Sequence, residues 1–193
     1  AGRIESATDF DPGAGTFNLN TAGDGDIFIS KLNNSGNFVW AKVMGGANSD
    51  GATSIAIDSN NNIYTTGYFN STVDFDPGAG TTNLTPPTGQ GVFVSKLDAN
   101  GSFVWAKSFK ETGYGITVDS SGNVYTTGLF EGVVDFDPGV GIFNLTTNAG
   151  SYDTAANITY ETRAELKRTA NKDYSDKSIS QERQSKNSLD VAT

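Results

Sequence analysis

Three pairs of aspartates are the side chains in this sequence best placed to do chemistry. Each pair lies in the segment Asp-Phe-Asp-Pro-Gly, and the pairs are Asp9 and Asp11, Asp74 and Asp76, and Asp135 and Asp137. On an extended backbone, side chains two residues apart lie on the same face, and the Pro-Gly that follows turns the chain. Two carboxylates with loop carbonyls suit a hard cation such as Ca²⁺. We therefore predict calcium as the candidate metal at these six aspartates.

The sequence leaves two other interpretations of these pairs open. In the first, the segment is an acidic turn: the Phe anchors the loop and the second aspartate accepts hydrogen bonds from backbone amides. The absence of a third Asp and of a bidentate Glu at EF-hand spacing favours this interpretation. In the second, the pair acts as the two carboxylates of a glycosidase, which lie ~5–9 Å apart. Because an active site usually occurs once per domain and this pair recurs, we predict no catalytic residue and no cofactor-binding residue.

The aspartate pairs belong to a sequence pattern that recurs over most of the first 149 residues. The segment Asp-Phe-Asp-Pro-Gly occupies residues 9–13, 74–78 and 135–139, at offsets of 65 and 61 residues. Residues 28–32 return as 93–97, residues 38–42 as 103–107, and residues 62–67 as 123–128. Repeats of this length indicate a modular array.

The full repeat, residues 52–107, predicts four β-strands. They are residues 54–57, 63–69, 92–97 and 102–108, joined by turns at 58–61 and 98–101 and by a long loop at 70–91. Asn-Gly in the second turn is a strong hairpin signal. Four antiparallel strands per repeat are the blade of a β-propeller, and apolar residues on both strand faces fit a blade packed between neighbours.

We predict an all-β fold, a β-propeller-like array of four-stranded antiparallel blades that forms an incomplete ring. Residues 27–43 would supply the third and fourth strands of one blade, and residues 115–130 the first two strands of another. A closed propeller has at least ~4 blades, so the missing blades are expected from the parent protein or from another chain. For the tryptophans we favour core packing over stacking on a sugar. The residues expected to be mostly buried are Phe38, Trp40, Ile57, Tyr64, Phe93, Phe103, Trp105 and Tyr125.

The repeated pattern ends before the C-terminus, and we predict two segments. Residues 1–149 hold the repeats, and residues 150–193 form a polar tail. No Phe or Trp lies beyond residue 149 and no Gly beyond residue 150. The tail therefore lacks the apolar groups needed to offset the entropy of ordering. We expect a short helix at residues 161–170 and disorder in the remainder.

Composition excludes several kinds of function. The 193 residues include no Cys and no His, which excludes disulfides, thiolate nucleophiles and the commonest general base. The net charge is −9 and the acidic excess lies within the first 150 residues, which argues against nucleic acid as a partner. No apolar run approaches the ~20 residues of a membrane span, so we expect no membrane insertion.

Three segments carry a resemblance to a known family. They are residues 73–78, Val-Asp-Phe-Asp-Pro-Gly; residues 96–107, Lys-Leu-Asp-x-Asn-Gly-x-Phe-Val-Trp-Ala-Lys; and residues 122–128, Gly-Asn-Val-Tyr-Thr-Thr-Gly. Together they resemble the bacterial SBBP family, a β-propeller repeat of secreted and surface proteins, over roughly residues 9–147. The resemblance implies a propeller fold and an extracellular or cell-surface location, and it implies no reaction.

On this basis we expect a non-catalytic repeat scaffold of a secreted or cell-surface bacterial protein. It would mediate contacts with a protein or glycan ligand, with its loops stabilised by calcium. The alternative is a fragment of a propeller hydrolase or lyase acting on polysaccharide, and a third interpretation is a structural spacer with no ligand. An enzyme is expected to have an acidic or polar residue in one repeat that the other repeats lack. Glu131, where the preceding repeat has Asn70, is the candidate that this comparison yields.

Overall fold

The structure, a computed structural model, describes residues 1–86, 89–110, 112–147 and 153–159 of the chain. Its regular elements in these residues are β-strands, and no described helix is long and apolar enough to cross a membrane. The strands are β1 (Gly2–Ile4), β2 (Thr8–Asp9), β3 (Asn18–Leu19), β4 (Asp26–Leu32), β5 (Phe38–Met44), β6 (Gly51–Ile57), β7 (Ile63–Phe69), β8 (Val73–Asp74), β9 (Asn83–Leu84), β10 (Gly91–Leu97), β11 (Phe103–Lys110), β12 (Thr112–Val118), β13 (Val124–Phe130), β14 (Val133–Asp135), β15 (Asn144–Thr146) and β16 (Asp153–Thr159).

The long strands form three sheets, which we call blades 1, 2 and 3. Blade 2 has four antiparallel strands in the order β6-β7-β10-β11, the up-and-down meander that the repeat predicts. Blade 1 contains β1, β4 and β5, and blade 3 contains β12, β13 and β16. Each long loop adds a small two-stranded ribbon: β2 with β3, β8 with β9, and β14 with β15. The predicted all-β, propeller-type architecture is confirmed.

Strand β10 is buried on both faces, as expected for a blade packed between neighbours. Val92, Phe93 and Val94 are 6%, 0% and 0% exposed, although successive side chains point to opposite faces of a sheet. The adjacent blades cover blade 2: β1 and β4 pack on β6, and β12 packs on β6, β7 and β10. The two-sided apolar pattern of the sequence therefore corresponds to blades stacked face to face.

The Phe of each Asp-Phe-Asp-Pro-Gly segment fastens its long loop to the blade. Phe75 is fully buried, and its ring centroid lies 5.5 Å from that of Phe69 and 5.0 Å from that of Phe93. The equivalent ring pairs in the other blades are Phe10 with Phe28, at 4.9 Å, and Phe130 with Phe136, at 5.3 Å. The loop thus contributes to the apolar core although its backbone lies at the edge of the blade.

Some of the residues expected in the core are more exposed than predicted. Tyr64 and Phe93 are buried as predicted. For Ile57 the prediction is wrong: this side chain is 60% exposed, because it ends β6, an edge strand that pairs on one side only. Trp40 and Phe103 still pack against the core, which agrees with core packing for this tryptophan. The half-buried members of the predicted set are Phe38, Trp40, Phe103, Trp105 and Tyr125.

The folded region extends beyond the recurring text at both ends. Gly2–Ile4, which precedes the first copy, forms β1 and pairs with β4. Asp153–Thr159 forms β16 beside β13, the place that β10 takes beside β7 in blade 2. This strand lies beyond the boundary expected at residue 149, and one compact unit runs from Ala1 to Ile158. Because main-chain ladders need no particular side chains, a strand forms where the motif is lost. The predicted helix at residues 161–170 and the disorder after it lie outside the described residues.

Replacing Phe75 with Ala tests whether the loop anchor belongs to the core. Because the ring is fully buried beside Phe69 and Phe93, the change should lower the free energy of unfolding by about 3–5 kcal/mol. Val140→Ala, at a fully exposed side chain, is the control and should change it by less than about 0.5 kcal/mol. Urea denaturation measures both variants. A loss under about 1 kcal/mol for Phe75→Ala would place this ring outside the core.

Candidate functional site

The long loop of each blade lies at one edge of its sheet, which we call the loop edge. Because the strands are antiparallel and consecutive, the connection from the second to the third strand stays at one edge. The link from blade 1 to blade 2, residues 45–50, lies at the same edge, and the short turns lie at the opposite one. The described parts of the long loops are residues 5–25, residues 70–86 with 89–90, and residues 131–147.

The structure brings the two aspartates of each predicted pair into one turn. Asp74 Oδ1 accepts hydrogen bonds from the backbone N–H groups of Asp76, at 3.0 Å, and Thr82, at 2.8 Å. Asp76 Oδ1 accepts one from the N–H of Gly78, at 2.8 Å. The other blades repeat the pattern: Asp9 accepts from Asp11 and Phe17, Asp11 from Gly13, Asp135 from Asp137 and Phe143, and Asp137 from Gly139. These carboxylates therefore organise the backbone of the loops.

The second carboxylate oxygen of the motif lies against a glycine. A Cβ built on Gly80 would clash with Asp76 Oδ2, and a Cβ on Gly15 would clash with Asp11 Oδ2. A side chain at either position would displace this carboxylate from the backbone N–H group whose hydrogen bond it accepts. In these two copies the second glycine of Asp-Pro-Gly-x-Gly thus leaves room for the carboxylate.

Calcium at the six predicted aspartates remains a prediction. Each pair lies in its own long loop and supplies two carboxylates. In the part of the chain that the structure describes, no group of three or more His, Cys, Asp or Glu is arranged to hold a metal. Because Ca²⁺ takes about six to eight oxygens, an ion in one of these loops would take most of its ligands from backbone carbonyls and water.

Two further aspartates at the loop edge are buried, and the sequence analysis missed them. Asp26 begins β4 of blade 1 and is 1% exposed, and Asp50 directly precedes β6 of blade 2 and is 0% exposed. Asp50 accepts backbone hydrogen bonds from Gly46 N and Asn70 N, each at 2.9 Å. Its own N–H donates to Gly25 O, at 2.8 Å. The two carboxylates therefore lie where the first two blades meet.

Asp26 has fewer hydrogen bonds than Asp50. Its Oδ2 accepts one from Ala22 N, whereas its Oδ1 is buried without a hydrogen-bond partner among the described residues. Burial raises the pKa of Asp26, against the effect of the hydrogen bond from Ala22. Burial also raises the pKa of Asp50; the bonds from Asn70 and Gly46 oppose the rise, and the charge of Asp26 adds to it. Both carboxyl groups are thus less acidic than an ordinary aspartate.

Comparing the repeats could have singled out Asp26, but not Asp50. At the 65-residue offset, Asp26 corresponds to Gly91, so one repeat has an acidic residue that the next lacks. Glu131, which the same comparison singled out, is exposed. Nothing in the sequence distinguishes Asp50 in this way. Its burial results from the packing of blade 1 against the start of β6.

Three stacked antiparallel sheets with a recurring long loop define a β-propeller repeat array. Two segments of the chain match the SBBP family, whose description is beta-propeller repeat: residues 39–74 and residues 109–129. The first runs from β5 to β8, and the second includes β12. The resemblance seen in the sequence is confirmed over these two segments.

The chain is also similar to an uncharacterized WD repeat-containing protein of Acanthamoeba polyphaga mimivirus. The two sequences are 28% identical over 127 residues, which is 56% of this chain. The chain spans only 9% of the length of that protein. WD repeats also form four-stranded propeller blades, which agrees with a repeat scaffold.

A methyl group at Gly80 tests the packing inside the aspartate turn. Since the added Cβ would clash with Asp76 Oδ2, Gly80→Ala should displace this carboxylate and break its bond to Gly78 N. Since this bond is exposed, we expect the free energy of unfolding to fall by about 0.5–1.5 kcal/mol. Ala79→Ser, at the exposed neighbouring position, should change it by less than about 0.5 kcal/mol. Thermal denaturation compares the two, and equal stabilities would show that the loop relaxes without cost.

Lowering the pH tests the buried pair. A carboxyl group whose pKa is raised in the folded state binds protons better there, so folded-state stability grows as the pH falls. In EDTA, the melting temperature should therefore rise as the pH is lowered from neutral toward about pH 4, the ordinary pKa of an aspartate. Asp9, Asp98 and Asp119, whose pKa hydrogen bonds lower, act in the opposite direction only below about pH 4.

The matched variants for this experiment are Asp26→Asn and Asp24→Asn. Both remove one negative charge, but Asp24 is exposed while Asp26 is buried. Asp26→Asn should flatten the rise in melting temperature, and Asp24→Asn should leave it in place. Identical pH profiles for the two variants would contradict the assignment of the rise to the buried pair.

Proposed function

We propose that this chain is a non-catalytic scaffold of a secreted or cell-surface bacterial protein, whose long loops contact a protein or glycan ligand. The observation that carries the proposal is the row of three long loops with one backbone design and different side chains at their tips. Rigid frameworks that present variable loops are a common way of building binding surfaces. The SBBP family resemblance supports the extracellular or cell-surface setting.

The constant part of the loops is their internal frame. The Phe of the motif donates its backbone N–H to the carbonyl seven residues later in each copy: Phe10 to Phe17 at 2.9 Å, Phe75 to Thr82 at 2.9 Å, and Phe136 to Phe143 at 2.8 Å. Together with the aspartate bonds and the packing of the Phe rings on the blade, this frame holds each loop in place. The tips are therefore presented in similar backbone positions.

The variable part is the side chains at the tips. The position after the first glycine of the motif is Ala14, Ala79 and Val140 in the three copies, and two residues later the copies have Thr16, Thr81 and Ile142. Val140 and Ile142 are 104% and 74% exposed. The loop of blade 3 thus presents apolar side chains where the other two present small or polar ones, as a surface that contacts a ligand would.

The buried aspartates support a scaffold over an enzyme. Asp26 meets the criterion for an enzyme residue, since the next repeat lacks it. However, a catalytic carboxyl group must reach its substrate, and Asp26 and Asp50 are 1% and 0% exposed. Glu131 is exposed, but it is a single carboxyl group, whereas hydrolysis of a glycoside uses a pair.

Two further parts of the proposal concern calcium and ring closure. Calcium in the aspartate turns, at Asp9, Asp11, Asp74, Asp76, Asp135 and Asp137, would add rigidity to a frame that the hydrogen bonds already form. Additional blades from the parent protein or from another chain would complete the ring, because closed propellers have at least ~4 blades. The low share of the WD repeat-containing relative that this chain spans is consistent with an array of many more repeats.

Binding of the chain to glycan and peptide arrays tests the proposal. The double variant Val140→Ala with Ile142→Thr gives the third loop the tip residues of the other two. For a ligand held by the loops, this variant should weaken binding about 10-fold or more. Val39→Thr, an exposed apolar side chain in β5, is the matched control and should retain the affinity. Equal loss in both variants, or no loss in either, would contradict binding through the loops.

The enzyme alternative is tested with the same preparation. The chain is incubated with the polysaccharides of the array, and reducing ends and unsaturated products are measured. A scaffold releases neither above the rate without protein. Release that Glu131→Gln abolishes would establish the hydrolase or lyase interpretation instead.

A further inference from the structure

The buried aspartates Asp26 and Asp50 form a site that neither the repeat family nor the aspartate turns account for. We propose that these two carboxylates together hold a calcium ion at the contact between blades 1 and 2. This site is distinct from the Asp-Phe-Asp-Pro-Gly turns, and it does not depend on which ligand the loops contact. The placement of the two carboxylates, the unpartnered oxygen of Asp26 and the surrounding charge support this site.

The two carboxylates adjoin the same stretch of backbone. A Cβ built on Gly45 would clash with Cγ and Oδ1 of Asp26, so this carboxylate lies directly against the Gly45 backbone. The next residue, Gly46, donates its N–H to Asp50 Oδ2, at 2.9 Å. Asp26 and Asp50, one from each blade, therefore both lie against the Gly45-Gly46 segment.

The hydrogen bonds around Asp26 and Asp50 leave lone pairs on their carboxylate oxygens free to bind a cation. A carboxylate oxygen has two lone pairs, and a buried oxygen without a partner is unfavourable. Asp50 has one amide on each oxygen, whereas Asp26 Oδ1 has no partner among the described residues. Asp26 Oδ1 is thus the atom that most needs a positive partner, and Asp50 keeps one lone pair on each oxygen for the same ion.

Backbone carbonyl groups also lie in this region, where the segment that follows Gly45 packs against the segment that precedes Asp26. The carbonyl oxygens of Gly46 and Ala47 both lie close to Gly23, three residues before Asp26, and a Cβ built on Gly23 would clash with both. Carboxylate and carbonyl oxygens in irregular loops are the ligands that Ca²⁺ accepts, in a flexible arrangement of about six to eight. Mg²⁺ requires near-octahedral geometry and keeps its waters, which suits a buried site less well.

The charge near the pair is not balanced by the protein. Arg3 is the cationic group that acts on Asp50, but its guanidinium also pairs with Glu5 at 3.3 Å and donates to Asp24 O at 3.1 Å. The cation that acts on Asp50 is therefore already engaged with other groups. A divalent ion would neutralise the pair, and it would tie the start of β4 to the start of β6.

The experiment compares calcium binding by the full chain and by three variants after treatment with EDTA. The wild type should gain on the order of 5–10 °C in melting temperature at a Ca²⁺ concentration about 100 times its dissociation constant. Asp26→Asn should lose this gain. Asp24→Asn, with the same change in charge at an exposed position two residues away, should keep it. Asp76→Asn, in an aspartate turn, separates any calcium effect of the turns from that of the buried pair.

Hydrogen exchange of the wild type with and without Ca²⁺ locates the ion without any variant. Calcium should increase protection at the amides that bond to the pair, those of Ala22, Gly46 and Asn70. The amides of Gly13, Gly78 and Gly139, which bond to the turns, should not respond to this ion. This measurement decides the matter if Asp26→Asn fails to fold.

Four results would overturn the proposal. The first is an equal change in melting temperature with Na⁺ at the same ionic strength, which would indicate screening alone. The second is a calcium effect that Asp76→Asn removes and Asp26→Asn retains, which would move the ion to the turns. The third is new protection confined to the turn amides. The fourth is stabilisation by acid but none by calcium, which would show that the pair holds a proton.

Discussion

The burial of both faces of each blade is the constraint on which the rest of this structure depends. Phe93 and its neighbours in β10 point to opposite sides of the sheet, yet all are buried. A sheet of this kind exposes apolar surface to water unless another blade covers it. Stacking therefore fixes the direction of the strands, and every irregular segment is forced to an edge. The polar chemistry of the protein is accordingly concentrated at the loop edge.

Aspartate has two opposite roles at that edge, and the environment decides which one it takes. In the turns, Asp9 accepts amide hydrogen bonds and is exposed, so its charged form is favoured and its pKa falls. Asp26 and Asp50 also accept amides, but burial opposes their charge and their pKa rises. The first group shapes a loop that is stable when ionised. In the second group, burial makes the negative charges unfavourable at the contact between two blades. Binding of a cation or a proton there would neutralise the charge and stabilise the folded state.

The Phe anchor connects the core to the surface that the loops present. Because Phe75 packs in the core of blade 2, the loop around it is held by both apolar packing and hydrogen bonds. Substitutions at the tips, such as Val140 in place of Ala79, then alter the surface without altering the frame. A repeat of this design can diversify its contacts while its fold stays the same, which is the physical basis for a scaffold function.

The sequence by itself determined the repeat, the strands, the turn residues and the position of the long loops, because these depend on local patterns of two to ten residues. It also placed Asp74 and Asp76 together in a turn, since Pro-Gly bends the chain directly after them. Only the tertiary structure decided that Ile57 is exposed, that Asp153–Thr159 continues blade 3, and that Asp26 and Asp50 are both buried where the first two blades pack together. These features depend on which surfaces stack and on contacts between residues far apart in the chain, and no local pattern encodes them.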